Sequence, residues 1–166
     1  MLYEAQLTYS VPLLRSAVFA YWKRSVGVGL PIVLILMTVY WVFLLARGDS
    51  SWIVGALAAI LFVAVAFIIA IYIVHYRNAF KKLRAMGPPR ATFAAHTDHF
   101  SFASQIGTST LRWSSVRELW CFPTFWLLLF SKAQFATLPL ADISAEMQTF
   151  VVERVRENGG TIVGEP

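Results

Sequence analysis

Two long stretches without a charged residue dominate the pattern of hydrophobic and polar positions along the chain. The first covers residues 26–46 and the second covers residues 52–74. A transmembrane helix needs about 20 apolar residues to cross the roughly 30 Å hydrocarbon core of a bilayer, so each stretch predicts one span. Buried helices of a small soluble domain are the alternative, but they rarely contain uncharged runs of this length.

The short link between the two predicted spans, residues 47–51, predicts a hairpin with both chain termini on one side of the membrane. Arg47 and Asp49 leave this external loop neutral. Eight cations lie near the opposite ends of the spans, and positive residues at such positions are retained in the cytoplasm. They are Arg15, Lys23, Arg24, Arg77, Lys81, Lys82, Arg84 and Arg90. The sequence therefore predicts a multi-pass protein of the cell inner (plasma) membrane with cytoplasmic termini.

The segments before the first span predict a strand and a helix. Within residues 1–10, positions 3–10 alternate strictly between apolar and polar side chains, and a strand of this kind is not stable alone. The apolar positions are Tyr3, Ala5, Leu7 and Tyr9. We expect residues 1–10 to join the sheet of the cytoplasmic domain, which makes the hairpin an insertion within one domain. Residues 11–25 predict either an amphipathic helix in the membrane interface or an extension of the first span, interrupted near Pro31.

The segments after the second span predict a small strand-rich domain. Residues 75–87 predict a basic juxtamembrane helix that stops at Gly87-Pro88-Pro89. Residues 88–166 predict about six strands in an antiparallel meander, followed by a helix over residues 144–158. With the N-terminal strand, this is the element count of a pleckstrin-homology-like (PH-like) barrel. The predicted fold class is an α+β membrane protein, in which a two-helix hairpin carries a small antiparallel β barrel or sheet with a C-terminal helix.

The order of these elements, together with three short segments, resembles the YcxB-like proteins. The segments are Leu111-Arg112-Trp113-Ser114-Ser115-Val116, Phe125-Trp126-Leu127-Leu128, and Leu138-Pro139 before the final helix. The resemblance covers nearly the whole chain and implies a bacterial membrane protein, but it supplies no catalytic residues. Where that family leads us to expect a basic residue after the proline, this chain has Leu140, which weakens the inference of an anion site there.

Composition and charge narrow the function classes. The 166 residues are 58% hydrophobic and 14% charged, whereas soluble globular chains have about 45–50% and 25%. The one cysteine, Cys121, excludes an intramolecular disulfide and a zinc site built from several thiolates. The net charge of +5 is compatible with nucleic-acid binding. Because the basic residues flank the spans, however, we expect anionic lipid headgroups as partners, no nucleic acid and no cofactor.

Two groups of residues are candidates for a binding role. A basic juxtamembrane cluster is expected to contact lipid headgroups, or to set the topology alone. It comprises Arg77, Lys81, Lys82, Arg84 and Arg90. A stripe of small residues in the second span would let another helix approach closely, either the first span or a second protomer in a homo-oligomer. It comprises Gly55, Ala59, Ala66 and Ala70.

Other residues with reactive side chains have a structural interpretation that we favour. His96-Thr97-Asp98-His99 has metal-ligand chemistry but is typical of an exposed hairpin turn. Ser114 and Ser115 have no histidine and carboxylate at a spacing that would activate them. Cys121 is expected in the core, where burial blunts a thiol. A core position is also favoured over a ligand pocket for Trp113, Trp120 and Trp126.

Together these features predict a membrane-anchored, non-enzymatic binding module. It would present its cytoplasmic domain to a protein, a peptide or a lipid headgroup. One alternative is an accessory subunit that packs its small-residue stripe against a larger membrane complex. Another is an enzyme that acts on a membrane substrate, which requires a polar constellation that residue spacing does not reveal.

Overall fold

The structure of the chain is a computed structural model that describes residues 3–85, 87–131 and 134–165. It is a mixed α+β structure that divides into two compact units. The helical unit comprises residues 18–78, and the sheet unit comprises residues 1–17 and 79–166. The chain therefore enters the sheet unit, leaves it for the helical unit, and returns.

The described residues form four α-helices and eight strands. The helices are α1 (Val11–Val26), α2 (Gly29–Ala46), α3 (Trp52–Ala85) and α4 (Ala145–Glu157). The strands are β1 (Tyr3–Thr8), β2 (Arg90–Ala95), β3 (His99–Ser104), β4 (Gly107–Arg112), β5 (Glu118–Cys121), β6 (Phe125–Ser131), β7 (Gln134–Pro139) and β8 (Thr161–Val163). Short 3₁₀ turns follow β4 and β7, at Trp113–Ser115 and Leu140–Asp142.

Helices α1 and α2 are separate elements, which corrects two sequence-based boundaries. The predicted span over residues 26–46 begins at Gly29, and the interruption lies at Gly27 rather than near Pro31. Gly27 has a φ of +67°, a conformation that side chains disfavour and that ends α1. Pro31 is accommodated in the first turn of α2, where a missing N–H group costs little.

Helices α2 and α3 are long and apolar enough to cross a membrane. No residue of α2 is buried, and large apolar side chains project outward from both helices, including Leu36 and Phe62, which are 64% and 75% exposed. The indole N–H of Trp41 donates to the Val54 carbonyl at 3.0 Å. Helix α3 continues without a break through Ala85, so the predicted juxtamembrane helix is its last part.

Aromatic side chains join α1 to α3 within the helical unit. The Trp22 indole N–H donates to the Ile68 carbonyl at 3.2 Å, and its ring lies edge-on to Tyr72. The Tyr21 ring meets His75, with ring centroids 5.2 Å apart. Tyr21 is buried. The last turns of α1 are therefore packed on α3 in the described structure.

The first sheet has the order β1-β2-β3-β4, and all of its neighbours are antiparallel. Strand β1 pairs with β2 over six positions, from Tyr3 opposite Ala95 to Thr8 opposite Arg90. Leu7 faces the core and is fully buried, whereas Glu4 and Gln6 on the other face are exposed. The strands before and after the helical unit are thus direct neighbours in one sheet.

The second sheet corrects the predicted barrel. Its order is β7-β6-β5-β8, so the strands form two four-stranded sheets and not a closed barrel. Strand β8 was not predicted, and it pairs in parallel with β5, from Glu118 opposite Thr161 to Trp120 opposite Val163. The described residues therefore contain eight strands instead of seven, and the sheets are not purely antiparallel.

The core of the sheet unit lies between the sheets and α4. Its largest fully buried side chains include Leu7, Phe93, Phe100, Trp113 and Trp126. Helix α4 contributes Met147, Val151, Val152 and Val155 to the buried set. Ser144 caps α4, because its hydroxyl oxygen accepts the Met147 N–H at 3.2 Å.

Polar contacts fasten the end of β1 to the second half of the chain. The Thr8 N–H donates to Asp142 Oδ2 at 2.6 Å, and the Tyr9 hydroxyl donates to the Thr137 carbonyl at 3.0 Å. Burial raises the pKa of Tyr9 well above its usual range, and the Asp142 charge adds to this rise. Tyr9 therefore stays a hydrogen-bond donor at physiological pH.

Candidate functional site

A polar groove lies on the outer face of the first sheet, at the end where β1 leads to α1 and α3 leads to β2. Its cavity volume is about 400 Å³. The lining residues are Gln6, Pro88, Arg90, Ala91, Thr92, Ala103, Ser104 and Gln105. Arg90 supplies the one formal charge of this lining, and the rest of it is neutral.

The groove exists because small and long side chains alternate across the strands. In the strand register, Gln6 lies opposite Thr92, and Thr92 lies opposite Ala103. The short side chains of Thr92 and Ala103 leave a depression over the two central strands, β2 and β3. Longer side chains surround it, with Gln6 on β1 and Gln105 in the two-residue turn between β3 and β4.

Backbone hydrogen bonds hold Arg90 at the end of the groove. Its N–H donates to the Pro88 carbonyl at 2.7 Å, and the neighbouring Pro89 carbonyl accepts the Tyr9 N–H at 2.8 Å. The Arg90 side chain is exposed and forms no ion pair with any residue that the structure describes. A guanidinium in this state is available to bind an anion.

Gln105 lies over Gly87, a position whose backbone conformation favours glycine. Gly87 has a φ of +68°, which disfavours any side chain. A Cβ atom there would also lie 2.7 Å from Gln105 Oε1. The turn after α3 and the turn between β3 and β4 are therefore in close contact beside the groove.

The predicted basic cluster is distributed along α3 and into the groove. Arg77, Lys81 and Arg84 are exposed, and their spacing of four and three residues places them on one side of α3. The Lys82 side chain lies outside the described part of the structure. Arg90 is brought together with Gln6 and Gln105.

Sequence reasoning singled out Arg90 but missed the other polar groups of the groove. Gln6, Thr92, Ser104 and Gln105 come from three strands and a turn. They meet because of a register that spans the helical insertion, which no local pattern encodes. Lys23 and Arg24, used above only to assign topology, are also exposed in the last turn of α1.

The small residues of α3 lie on its open side. Gly55, Ala59, Ala66 and Ala70 are all exposed. The protected side of the helix contains Val54, Leu61 and Ile68, which are buried or half-buried. The stripe is therefore free of contacts that would bury it within the described chain.

The two histidines of the β2–β3 turn stack on each other instead of converging on a point. Their ring centroids are 4.3 Å apart with 14° between the planes, and His99 Nδ1 lies 2.7 Å from Asp98 Oδ1. The His99 hydrogen bond lowers the pKa of Asp98 below its usual range. No group of three residues that could hold a metal ion is found among the described residues.

The other reactive side chains have structural partners or are buried. The Ser115 hydroxyl donates to the Arg112 carbonyl at 2.6 Å, while Ser114 is exposed. Burial raises the pKa of the half-buried Cys121 thiol to about 11, which leaves little thiolate at neutral pH. The tryptophans of the sheet unit are buried and belong to the core or its edge; they are Trp113, Trp120 and Trp126.

Comparison with known proteins identifies part of the sheet unit. The family model described as YcxB-like protein matches residues 96–153, from the β2–β3 turn into α4. This confirms, over that segment, the resemblance found in the sequence. Ser104 and Gln105 lie inside the matched segment, whereas Gln6, Arg90 and Thr92 lie outside it. No curated protein and no solved structure matches the chain.

Proposed function

We propose that the chain is a membrane-anchored, non-enzymatic binding module whose α2 and α3 cross the inner membrane. The observation that carries the proposal is the exposure of both helices: the apolar windows that qualify as spans contain no buried residue. A core helix of a soluble protein buries its apolar side, and an exposed apolar surface of this extent requires an apolar solvent.

The pairing of β1 with β2 supports a hairpin that crosses the membrane twice. These strands precede and follow the two spans and are hydrogen-bonded neighbours over six residue pairs. Both strands must lie on one side of the membrane, so the number of crossings between them is even. The same pairing argues against a cleaved signal sequence, because cleavage after α2 would remove an edge strand whose Leu7 is in the core.

The distribution of charge supports a cytoplasmic sheet unit with PH-like architecture. The cations that flank the spans outnumber the one in the loop between them, and positive residues are retained in the cytoplasm. Two packed sheets followed by the long helix α4 resemble the PH-like plan, to which β8 adds an extra strand. The proposed localisation is therefore the cytoplasmic face of the membrane, with the termini inside.

The length of α3 supports contacts between its cations and anionic lipid headgroups that become weaker from Arg77 to Arg84. Its 34 residues extend about 51 Å, about 20 Å more than the hydrocarbon core. With Trp52 at one interface, the core ends near Tyr72. Arg77, Lys81 and Arg84 then lie about 7, 13 and 18 Å beyond it. Because screening acts over about 8 Å, Arg77 contributes most and Arg84 least.

Two measurements on the full chain test this proposal. In a Cys121→Ser background, an impermeant maleimide added to intact cells should label Ser50→Cys and spare Glu153→Cys. The reverse pattern would refute the topology.

In nanodiscs, adding phosphatidylglycerol to phosphatidylcholine should raise thermal stability. Arg77→Gln should remove more of this gain than Arg84→Gln, by up to about 1 kcal/mol per cation. Arg156→Gln on α4 is the control, and equal effects at all three positions would contradict headgroup contact.

A second candidate, an accessory subunit of a larger membrane complex, is favoured by the exposed small-residue stripe. Glycine and alanine on an open helix face allow another helix to approach closely. A stoichiometric partner should then copurify with the wild-type chain and be lost from Ala59→Leu. Ile60→Leu, at an exposed position of α3 outside the stripe, is the matched control. Equal recovery of the partner from both variants would exclude the stripe as the interface.

A further inference from the structure

We infer that the groove on the outer face of the first sheet binds a small phosphorylated polyol, with the phosphate on Arg90. This names the ligand class of the binding module proposed above, and it rests on that proposal for the role of the sheet unit. The shared chemistry has two sources: a free compound such as glycerol 3-phosphate, or the glycerophosphate headgroup of phosphatidylglycerol.

The charge of the lining selects an anion. Arg90 is the one charged residue among the eight described residues that line the groove, and none of these eight has a carboxylate. Its guanidinium forms no ion pair with the described residues. Guanidinium presents N–H donors in a planar fork that matches two oxygens of a phosphate, and it stays protonated at any physiological pH.

The neutral lining selects hydroxyl groups for the remainder of the ligand. Gln6 and Gln105 provide amide donors and acceptors, and Thr92 provides a hydroxyl. Among the residues that the structure describes, the apolar lining is limited to Pro88, Ala91 and Ala103. An acyl chain or a nucleobase needs a wide apolar wall or an aromatic ring, and the described lining residues provide neither. A polyol can exchange hydrogen bonds with these three polar side chains.

The site is organised before a ligand arrives. The Arg90 backbone is held by its pairing with Thr8 and by the hydrogen bond to Pro88. Gln105 lies in a two-residue turn against Gly87. A volume of about 400 Å³ is within the range of small-molecule sites. A backbone that is already fixed reduces the loss of entropy that accompanies binding.

Calorimetry on the full chain in phosphatidylcholine nanodiscs tests the inference directly. Glycerol 3-phosphate should bind, inorganic phosphate should bind more weakly, and glycerol alone should not bind. Arg90→Gln should lower the affinity for glycerol 3-phosphate at least about tenfold, because the substitution removes charged hydrogen bonds. Gln105→Ala should weaken it by a smaller factor. Arg112→Gln, an exposed cation at the other end of the same sheet, is the matched control and should bind like the wild type.

Nanodiscs that contain phosphatidylglycerol distinguish the two sources. If the headgroup occupies the groove, free glycerol 3-phosphate should bind more weakly there than in phosphatidylcholine alone. Arg90→Gln should then abolish the difference between the two bilayers. Equal affinity in both bilayers assigns the groove to the free compound. Either result supports the phosphorylated-polyol chemistry.

Two results would overturn the inference. One is no heat of binding at about 10 mM glycerol 3-phosphate, a concentration that nearly saturates a site with a Kd of about 1 mM. The other is equal affinity of Arg90→Gln and Arg112→Gln. Unchanged thermal unfolding and near-ultraviolet circular dichroism would show that these exposed substitutions leave the fold intact. The lipid dependence of Arg77 is measured separately, so the groove and the headgroup contact can fail independently.

Discussion

Replacing Leu7 with alanine tests whether β1 belongs to the core of the sheet unit, on which the two-crossing argument depends. Leu7 is fully buried and lies in the same cluster as Phe93 and Trp126. Removing its methyl groups forfeits their burial and leaves a cavity, which costs about 2–5 kcal/mol for Leu→Ala in cores. A value of about 3 kcal/mol lowers the Tm of a domain of this size by roughly 10–20 °C.

The assay is thermal unfolding of the full chain in nanodiscs, monitored by near-ultraviolet circular dichroism. The core residues Trp113 and Trp126 contribute to this signal. Glu4→Ala is the matched control, because Glu4 lies on the same strand with its side chain on the exposed face. Surface changes of this kind usually alter stability by less than about 0.5 kcal/mol. Equal Tm values for Leu7→Ala and Glu4→Ala would show that β1 is not part of the core and would remove the constraint on the crossings.

Three further predictions concern single side chains of the sheet unit. Ser144→Ala removes the cap of α4 and should cost about 1 kcal/mol in chemical unfolding, whereas Ser114→Ala should cost little. Cys121, with its pKa near 11, should react with a maleimide far more slowly than a free thiol until the chain is unfolded; rapid labelling of folded protein would contradict its burial. The pKa of Asp98 is lower in the folded chain than its ordinary value of 3.8, so the ionised carboxylate stabilises the fold at pH values above 3.8. This stabilisation is lost as the pH falls through the pKa of Asp98 in the folded chain. Melting curves of Asp98→Asn and the wild type should therefore converge on acidification, and a constant gap would refute the effect.

The elements that carry a strong local signal were predictable. The two apolar helices and the α+β character follow from uncharged runs and from alternation, and both are confirmed at that level. The resemblance to the YcxB-like proteins is confirmed over residues 96–153. In each case neighbouring residues contain the information, because the period of apolar positions reflects one side of one element.

The features that depend on distant residues were not predictable. Strand β8 has three residues after Gly160 and pairs with β5, more than 40 positions earlier, so it has no pattern of its own. The prediction of a closed barrel failed because strand count does not determine how sheets close. The groove depends on Gln6, Thr92 and Ala103 being in register across three strands, two of which are separated by both long helices.

The pairing of β1 with β2 also determines the order of events during biosynthesis. Thr8 leaves the ribosome about 80 residues before its partner Arg90, which at about 5–20 residues per second is a delay of roughly 4–16 s. During this delay both helices emerge, while β1 waits as an unpaired edge that other chains can capture. The sheet can close only after the second helix has been delivered. A completed sheet unit therefore indicates that the whole segment between β1 and β2 has been synthesised.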